Sequence, residues 1–470
     1  MKFGRSFAIS RHLVSAAFAL LLLTVSFAPL PFGANGPEST WLLVLAAGGD
    51  PWPAVSAPRL WVAAGCFGAF ALWAVVQALP FMPGSLPHPL WTESAKVLAL
   101  APRPTISIDP LMTWQALAKT LAYLCIGTAA LFLLNDPSRR RLATALLVAA
   151  GGLYALYGIV QLFGGDCCVA WQKKTAYFGA ATGPFINRNS FATYLGLIVL
   201  VSLGLLLRAW GEFRGAAAGS WTRRIAIRLR LFPPSHWLTA IAMLAATLAL
   251  FLTQSRAGIT ATALGALVLV ALSAQAEVFG SRRRRLFYVA VFAGIVTLAV
   301  LLIGRGFVAR VASEGVEEAD RTQSWQIVVT GIEASPWLGH GFGTFAQSFP
   351  LYRDDRLASR RFWDKAQDTY LELAIDTGIP ATLVLLAGFA ALLAQCWKGL
   401  SRRRRGRRVF PALGIAATIL VGAHAIYDFS MQIPAIAATY AFVMAIALTE
   451  SGMWRGASRP GGTGDQPSAT

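Results

Sequence analysis

The chain is 470 residues long, carries 41 lysines and arginines against 22 acidic residues for a formal charge of +19, and is 56% apolar with a mean hydropathy of +0.56. Only 13% of it is charged, against roughly 25% for a soluble domain, and even large soluble domains keep a wide wet surface, so a water-soluble globule is excluded. The same figures exclude a disordered chain, and 5 cysteines in so long a sequence exclude a disulfide scaffold, which leaves an all-α, polytopic helical membrane protein.

A spanning helix needs about 20 mostly apolar residues, because lipid offers no partner for backbone groups. In chain order such runs lie near His12 to Leu30, Leu60 to Leu79, Trp114 to Leu134, Leu142 to Phe163, Ser190 to Leu207, Trp237 to Leu252 and Gly258 to Ala276. They continue at Leu286 to Ile303, Tyr370 to Trp397, Val409 to Ile426 and Pro434 to Leu448. Lys2 to Pro29 has the basic start and apolar core of a signal peptide, but its apolar run is long and no small-x-small site follows, so it reads as an uncleaved first helix.

Arginine placement predicts the topology, since Lys and Arg in short loops stay on the cytoplasmic side. With Arg139 to Arg141, the Arg208 to Arg230 linker, Arg282 to Arg285 and Arg402 to Arg408 inside, every helix from Leu142 onward alternates. Gly164 to Arg188, Thr253 to Ala257, Gly304 to Thr369 and Asp428 to Ile433 then lie outside, and the C-terminus inside. An inside N-terminus requires one more crossing before Arg139, for which the short stretch Trp41 to Ala47 is the candidate, giving about 12 helices. Three parts follow: N-terminal transmembrane helices over 1–141, a membrane domain over 142–454 that includes the large periplasmic loop 304–369, and a disordered Gly/Pro/Ser-rich cytoplasmic tail over 455–470. Arginine runs that hug helix ends serve topology and membrane lipids, and no nucleic-acid partner is expected.

Polar residues at a bundle's edge are expensive and mark function unless they snorkel. Gly183-Pro184-Phe185-Ile186-Asn187-Arg188-Asn189 precedes a helix, with Asn189 or Ser190 as its expected N-cap; capping accounts for one amide but not for Asn187, Arg188 and Asn189 together. Thr253-Gln254-Ser255-Arg256 joins two apolar helices, so Arg256 faces either headgroups or the bundle interior, where its forked donors would suit a pyrophosphate. The long loop contains Asp320-Arg321-Thr322-Gln323-Ser324-Trp325 and an amphipathic stretch with Trp325, Val328, Val329 and Ile332, expected to lie on the bundle or the membrane surface. The turn Pro336 to Gly343 is glycine-punctuated, yet lacks the Gly-Lys-Ser/Thr and preceding strand of a phosphate-binding loop. Lys365-Ala366-Gln367-Asp368-Thr369-Tyr370-Leu371-Glu372 closes the loop.

Five histidines are dispersed. His424 and Asp428 are one helical turn apart, a spacing that allows a hydrogen bond holding helices together. No Cys/His cluster has zinc spacing, so no metal and no cofactor is expected. Cys167 and Cys168 are expected outside, where adjacent cysteines rarely bond each other.

Taken together, from about Leu142 to Leu448, these segments resemble the O-antigen ligase superfamily, bacterial inner-membrane proteins that include O-antigen ligases, polysaccharide polymerases and protein O-oligosaccharyltransferases. The marks are Asn187-x-Asn189, Ser255-Arg256, Arg321 before Trp325, Pro336 to Phe345, Ala366 to Pro380, and His424 to Phe429 followed by Gln432-Ile433-Pro434. The resemblance implies a multi-pass glycosyltransferase that moves a glycan, without a metal, from undecaprenyl pyrophosphate to an acceptor hydroxyl on lipid A core, a growing polysaccharide or a protein, at the periplasmic face. It implies that Arg256 and Arg321 bind the pyrophosphate, where fixed cations stabilise the leaving group's charge, and that Asn187, Arg188, Asn189 and Tyr370 contact substrate.

The chain departs from the family's usual His-Asn at the start of its loop-closing segment, having Gln367-Asp368 with Gly378 following. Glutamine takes up no proton near neutrality. Either Gln367 orients the acceptor while Asp368 or Glu372 acts as base, or the leaving group needs little base, or catalysis is weak and the protein binds a lipid-linked glycan without transferring it. A transporter would also need a polar cavity and about 12 helices, but no internal repeat is visible and the polar motifs gather at one face.

Overall fold

The computed structural model describes residues 11–30, 57–80, 86–99, 103–212, 233–274, 308–355, 357, 362–402 and 408–452. The expected crossings at 41–47 and 286–303, the Arg282 to Arg285 cluster and the 455–470 tail lie outside them. The helices are α1 (Arg11–Phe27), α2 (Pro58–Ala78), α3 (Leu90–Leu98), α4 (Pro110–Leu133), α5 (Pro137–Phe163), α6 (Arg188–Glu212), α7 (Pro234–Leu252), α8 (Arg256–Ala274), α9 (Val308–Ala334), α10 (Phe345–Tyr352), α11 (Thr369–Thr377), α12 (Ile379–Arg402), α13 (Val409–His424) and α14 (Pro434–Glu450). Among the described residues the strands are a two-residue antiparallel pair, β1 (Cys168–Val169) and β2 (Gln172–Lys173).

Helix starts follow local chemistry. Pro110 and Pro137 open α4 and α5, with Asp109 and Asp136 as N-caps; Asp136 accepts from the Ser138 and Arg139 amides at 2.9 and 2.8 Å. Proline's missing N–H is an orphan donor there anyway, and a carboxylate satisfies the next ones. Among the described residues seven helices (α2, α4, α5, α6, α7, α8, α12) are long and apolar enough to cross a membrane; α1, α13 and α14 contain shorter apolar stretches.

The layering is that of a bundle in lipid. α6, α13 and α14 form the centre, nearly every side chain of α13 and α14 being buried. α5, α7, α2 and α12 stand around them and turn large apolar side chains outward, Leu244 at 69% and Leu72 at 64% exposure, where lipid rather than water is their solvent. Small residues set the spacing between helices. A Cβ on Gly152 would meet the Ala242 Cβ at 2.9 Å, so α5 can approach α7 only through glycine.

One expected run is divided. Tyr370 to Trp397 is not a single helix, because the backbone turns at Gly378, with φ of +81°, and Pro380 starts α12 afresh. α11 belongs instead with α9 and α10. Ile327, Val328, Ile332, Phe345, Phe349, Leu357, Ala366 and Ile375 bury one another in a second core separate from the bundle's. Of the amphipathic stretch of α9, Val328 and Ile332 are buried in that core with Ile327, while Val329 stays exposed.

Candidate functional site

The start of α11 is where distant segments meet. Trp325 on α9 donates its indole N–H to the Ala366 carbonyl at 3.0 Å and packs against Tyr427, ring centroids 6.1 Å apart. Arg321 lies one turn earlier on that helix, half-buried. From the other side the 422–432 segment grips the same stretch of chain. The Thr369 N–H donates to the Ala425 carbonyl at 2.8 Å, Thr369 Oγ1 to the Asp428 carbonyl at 2.8 Å, and Tyr370 Oη to the Gly422 carbonyl at 2.8 Å. Lys365 Nζ reaches Gln432 Oε1 at 2.5 Å and Glu372 Oε1 at 3.1 Å.

The two carboxylates there have different duties. Glu372 is buried, and both its oxygens are taken, one by Lys365 and one by the Ala366 N–H at 2.9 Å. Asp368 caps α11 with Oδ1, accepting from the Tyr370 and Leu371 amides at 2.8 and 3.0 Å, while Oδ2 has no hydrogen-bond partner among the described residues. Burial holds the Asp368 carboxyl above its usual range, with the Glu372 charge adding to the effect, against the pull of the two amides. Burial works against the Lys365 charge, but Glu372 beside it and the Asp376 and Asp364 carboxylates raise its pKa on balance. Burial also raises the Tyr370 phenol.

Gln367 directly precedes Asp368 at φ +57°, in the left-handed region that non-glycine residues seldom occupy. Its amide makes no hydrogen bond among the described residues. A strained backbone presenting an uncommitted amide next to a carboxylate with a spare oxygen is a pattern of active sites.

In the Pro336 to Gly343 turn the amides of Gly339 to Gly343 are all taken by protein acceptors. Gly339 donates to the Ser335 carbonyl at 3.0 Å, His340 and Gly341 to the Asp376 carbonyl at 3.1 and 2.8 Å, Phe342 to Gln77 Oε1 at 3.0 Å, and Gly343 to Asp376 Oδ2 at 2.8 Å. Glycine is required because a Cβ on Gly339, φ +67°, would stand 2.4 Å from the Asp376 carbonyl oxygen. His340 is equally committed, Nδ1 to the Ile375 carbonyl at 3.0 Å and Nε2 to Tyr352 Oη at 2.6 Å. The turn clamps the end of α11.

The helix after this motif, α6, starts at Arg188, its N-cap two residues before the nearer of the two expected positions. Asn187 Oδ1 accepts the Asn189 N–H at 2.7 Å, so Asn187 and not Asn189 or Ser190 caps α6, and the Arg188 guanidinium stands 5.5 Å from the Tyr177 ring centre. Ser255 caps α8 through the Gly258 N–H at 3.2 Å, which leaves Arg256 exposed on the first turn. A Cβ on Gly258 would lie 2.5 Å from that of Ala192, so Arg256 opens a helix that touches the start of α6.

His424 and Asp428 do not bond directly. His424 Nδ1 meets Thr193 Oγ1 at 2.5 Å, Thr193 Oγ1 donates to Ser430 Oγ at 2.9 Å, and Ser430 Oγ donates to Asp428 Oδ2. Thr193 Oγ1 also lies 3.2 Å from the Asn189 carbonyl oxygen. His424 Nε2 and Asp428 Oδ1 are buried and without hydrogen-bond partners among the described residues. The chain ties α6 to the segment that grips α11, so Asn187 to Thr193, Lys365 to Glu372 and His424 to Gln432 form one polar unit.

Sequence reasoning passed over Gln77 and Thr193. Gln77 Nε2 bonds the Leu338 and Asp376 carbonyls at 2.7 and 3.0 Å. A lone amide inside an apolar run was the available signal.

Residues 241–386 match the family model described as O-antigen ligase, less than a third of the chain. The matched stretch contains Arg256, Arg321, Trp325, the glycine turn and the Gln367 to Glu372 segment, so the resemblance to that superfamily holds there. No curated protein matches the chain.

Proposed function

We propose that this chain, with an O-antigen ligase segment at residues 241–386, is a multi-pass transferase of the bacterial inner membrane that moves an undecaprenyl-pyrophosphate-linked glycan to an acceptor hydroxyl at the periplasmic face. The observation that carries this reading is the junction at α11, where Trp325, one turn along α9 from Arg321, holds the Ala366 carbonyl next to Gln367 and Asp368, and the 425–428 segment holds Thr369.

The hydroxyl oxygen attacks the anomeric carbon, the carbon's bond to the pyrophosphate oxygen breaks, and the hydroxyl proton passes to Asp368 Oδ2, which has no hydrogen-bond partner among the described residues. Gln367 orients the acceptor through its amide. Arg256 and Arg321 stabilise the negative charge on the leaving pyrophosphate. Asn187, Arg188 and Asn189 line the donor side. Glu372 positions the segment by holding Lys365 and the Ala366 amide, and Tyr370 does so through Gly422.

The orientation is supported by contacts. Segments that the arginine clusters assign to the periplasm adjoin one another: the Ala181 N–H donates to the Leu252 carbonyl at 2.9 Å, Gln254 Nε2 to the Gly179 carbonyl at 2.8 Å, and the Ile108 N–H to the His340 carbonyl at 2.9 Å. Arg140 and Glu450, assigned to the cytoplasmic end, pair at 2.6 Å. With the stretches at 41–47 and 286–303, about 12 helices cross, in the division 1–141, 142–454 and 455–470.

The test is transfer by purified protein in lipid from a carrier-linked donor with no added metal. Turnover supports the reading. Donor binding without turnover supports instead a non-catalytic lipid-linked-glycan component, the reading that glutamine at 367 favours. Deletion of the gene separates ligation from polymerisation: carrier-linked polymer accumulates if ligation is lost, single repeat units remain if polymerisation is lost.

A further inference from the structure

Between α5 and α6 the chain makes a small hairpin whose two adjacent cysteines have no part in the chemistry above. Cys167 is exposed and Cys168 half-buried, and their sulfurs stand 2.8 Å apart, inside van der Waals contact and short of a bond, which is about 2.05 Å. The other three cysteines, Cys66, Cys125 and Cys396, lie on α2, α4 and α12.

The closeness is enforced from both sides of the pair. Cys168 opens β1 opposite Lys173, and the Cys167 carbonyl accepts the Lys174 N–H at 2.9 Å. Lys174, its side chain almost wholly buried, bonds Asp166 Oδ1 at 2.5 Å and the Ala180 carbonyl at 2.8 Å. Asp166 Oδ2 accepts the Gly179 N–H at 2.6 Å. Gln161 on α5 donates to the Cys168 carbonyl at 2.6 Å and to the Gly183 carbonyl at 3.3 Å. One side chain thus holds the cysteine pair and the strap that runs into Asn187.

We propose that Cys167 and Cys168 are a thiol–disulfide site that closes to a vicinal disulfide on the periplasmic side. This rests on the orientation proposed above, since only an oxidising compartment supplies disulfide partners. Cys167, the exposed thiol, attacks a protein or small-molecule disulfide as its thiolate and releases one partner thiol; Cys168 then displaces the second partner thiol. Two protons and two electrons leave the pair, and the partner's disulfide becomes two thiols. The product bond is exposed and therefore exchangeable, and it spares the outer hairpin two oxidisable thiols.

The full-length protein, purified in detergent without reductant and alkylated after unfolding, is the sample. The peptide bearing Cys167 and Cys168 should be two hydrogens light and unalkylated, and should take two alkyl groups after dithiothreitol. In Cys167→Ser, Cys168 should be alkylated without prior reduction. A pair isolated as thiols is then incubated, folded, with oxidised glutathione; closure there supports the site, whereas persistent double alkylation overturns it. An impermeant maleimide applied to reduced whole cells tests the orientation separately. Labelling only in inverted membranes would overturn the periplasmic placement, whatever the purified pair does.

Discussion

The two ends of α11 make opposite use of similar residues. At its C-terminal end every amide of the glycine turn from Gly339 to Gly343 has a partner, His340 is bonded through both ring nitrogens, and Gln77 uses its oxygen and its nitrogen. At its N-terminal end Gln367 is strained and uncommitted, and Asp368 keeps one oxygen open. A glycine-rich turn with a histidine is as suggestive in sequence as Gln-Asp is, yet hydrogen-bond accounting makes the first a clamp and leaves the second as the candidate site.

The sharpest way to break this contrast is to remove the cations proposed to hold the leaving group. Arg321→Ala should cut transfer by about 10²- to 10³-fold, as loss of a fixed charge stabiliser does, while the protein accumulates normally. Arg256→Lys should lose most activity too, because a point charge does not reproduce forked donors. Wild-type turnover in either variant would return that arginine to a snorkelling role.

The next effect distinguishes the two carboxylates. Asp368→Asn should lower turnover by about 10²-fold, the modest end for a general base, and shift the melting temperature little, because Asn caps α11 as well. Glu372→Gln should do the reverse, costing about 3 kcal/mol by leaving Lys365 without its charge partner in a largely buried place. Equal loss of turnover with equal stability in both variants would show that the spare oxygen of Asp368 is not what matters.

At the clamped end the expected effect depends on pH. Asp376 is fully buried, and burial, with the Glu372 charge, drives its carboxyl well above the usual range despite the Gly343 N–H and Lys365. Its folded-state pKa therefore exceeds the unfolded one, so the native chain binds more protons once pH passes the ordinary carboxylate value. Stability then falls as pH rises from there toward the folded-state pKa. Asp376→Asn keeps a neutral side chain that accepts from Gly343, and thermal melts of this variant should lose that decline. A parallel slope in both proteins would mean that Asp376 is ionised in place.

How much of this was legible follows from which interactions are local. Helix positions, the caps at Asp109 and Asp136 and the importance of Lys365 to Glu372 are written in apolar runs and short spacings. The break at Gly378 was concealed by an apolar run that continues across it, although Gly-Ile-Pro carried the signal. Glu372 was indistinguishable from Asp368 by sequence, since what separates them is Lys365 folding back onto Glu372 while Gln432, 67 residues from Lys365 in sequence, arrives to hold it. His424 and Asp428 had the spacing of a pair but are joined through Thr193, which is more than 200 residues away in sequence.

The smallest effect should come from Gln367 itself. A side chain at φ +57° costs on the order of 1 kcal/mol that glycine would not incur, partly offset by glycine's greater freedom in the unfolded chain. Gln367→Gly should therefore leave stability equal or raise it by up to about 1 kcal/mol, while turnover falls through a weaker KM for the acceptor, the orienting amide being gone. Gln367→Ala should lose the same orientation and keep the strain, so the two variants share their kinetic defect and differ only in melting temperature. If Ala and Gly melt alike, the left-handed backbone at this position is not strained. If either retains the acceptor KM of the native chain, Gln367 does not orient the acceptor and the open end of α11 owes its role to Asp368 and the arginines.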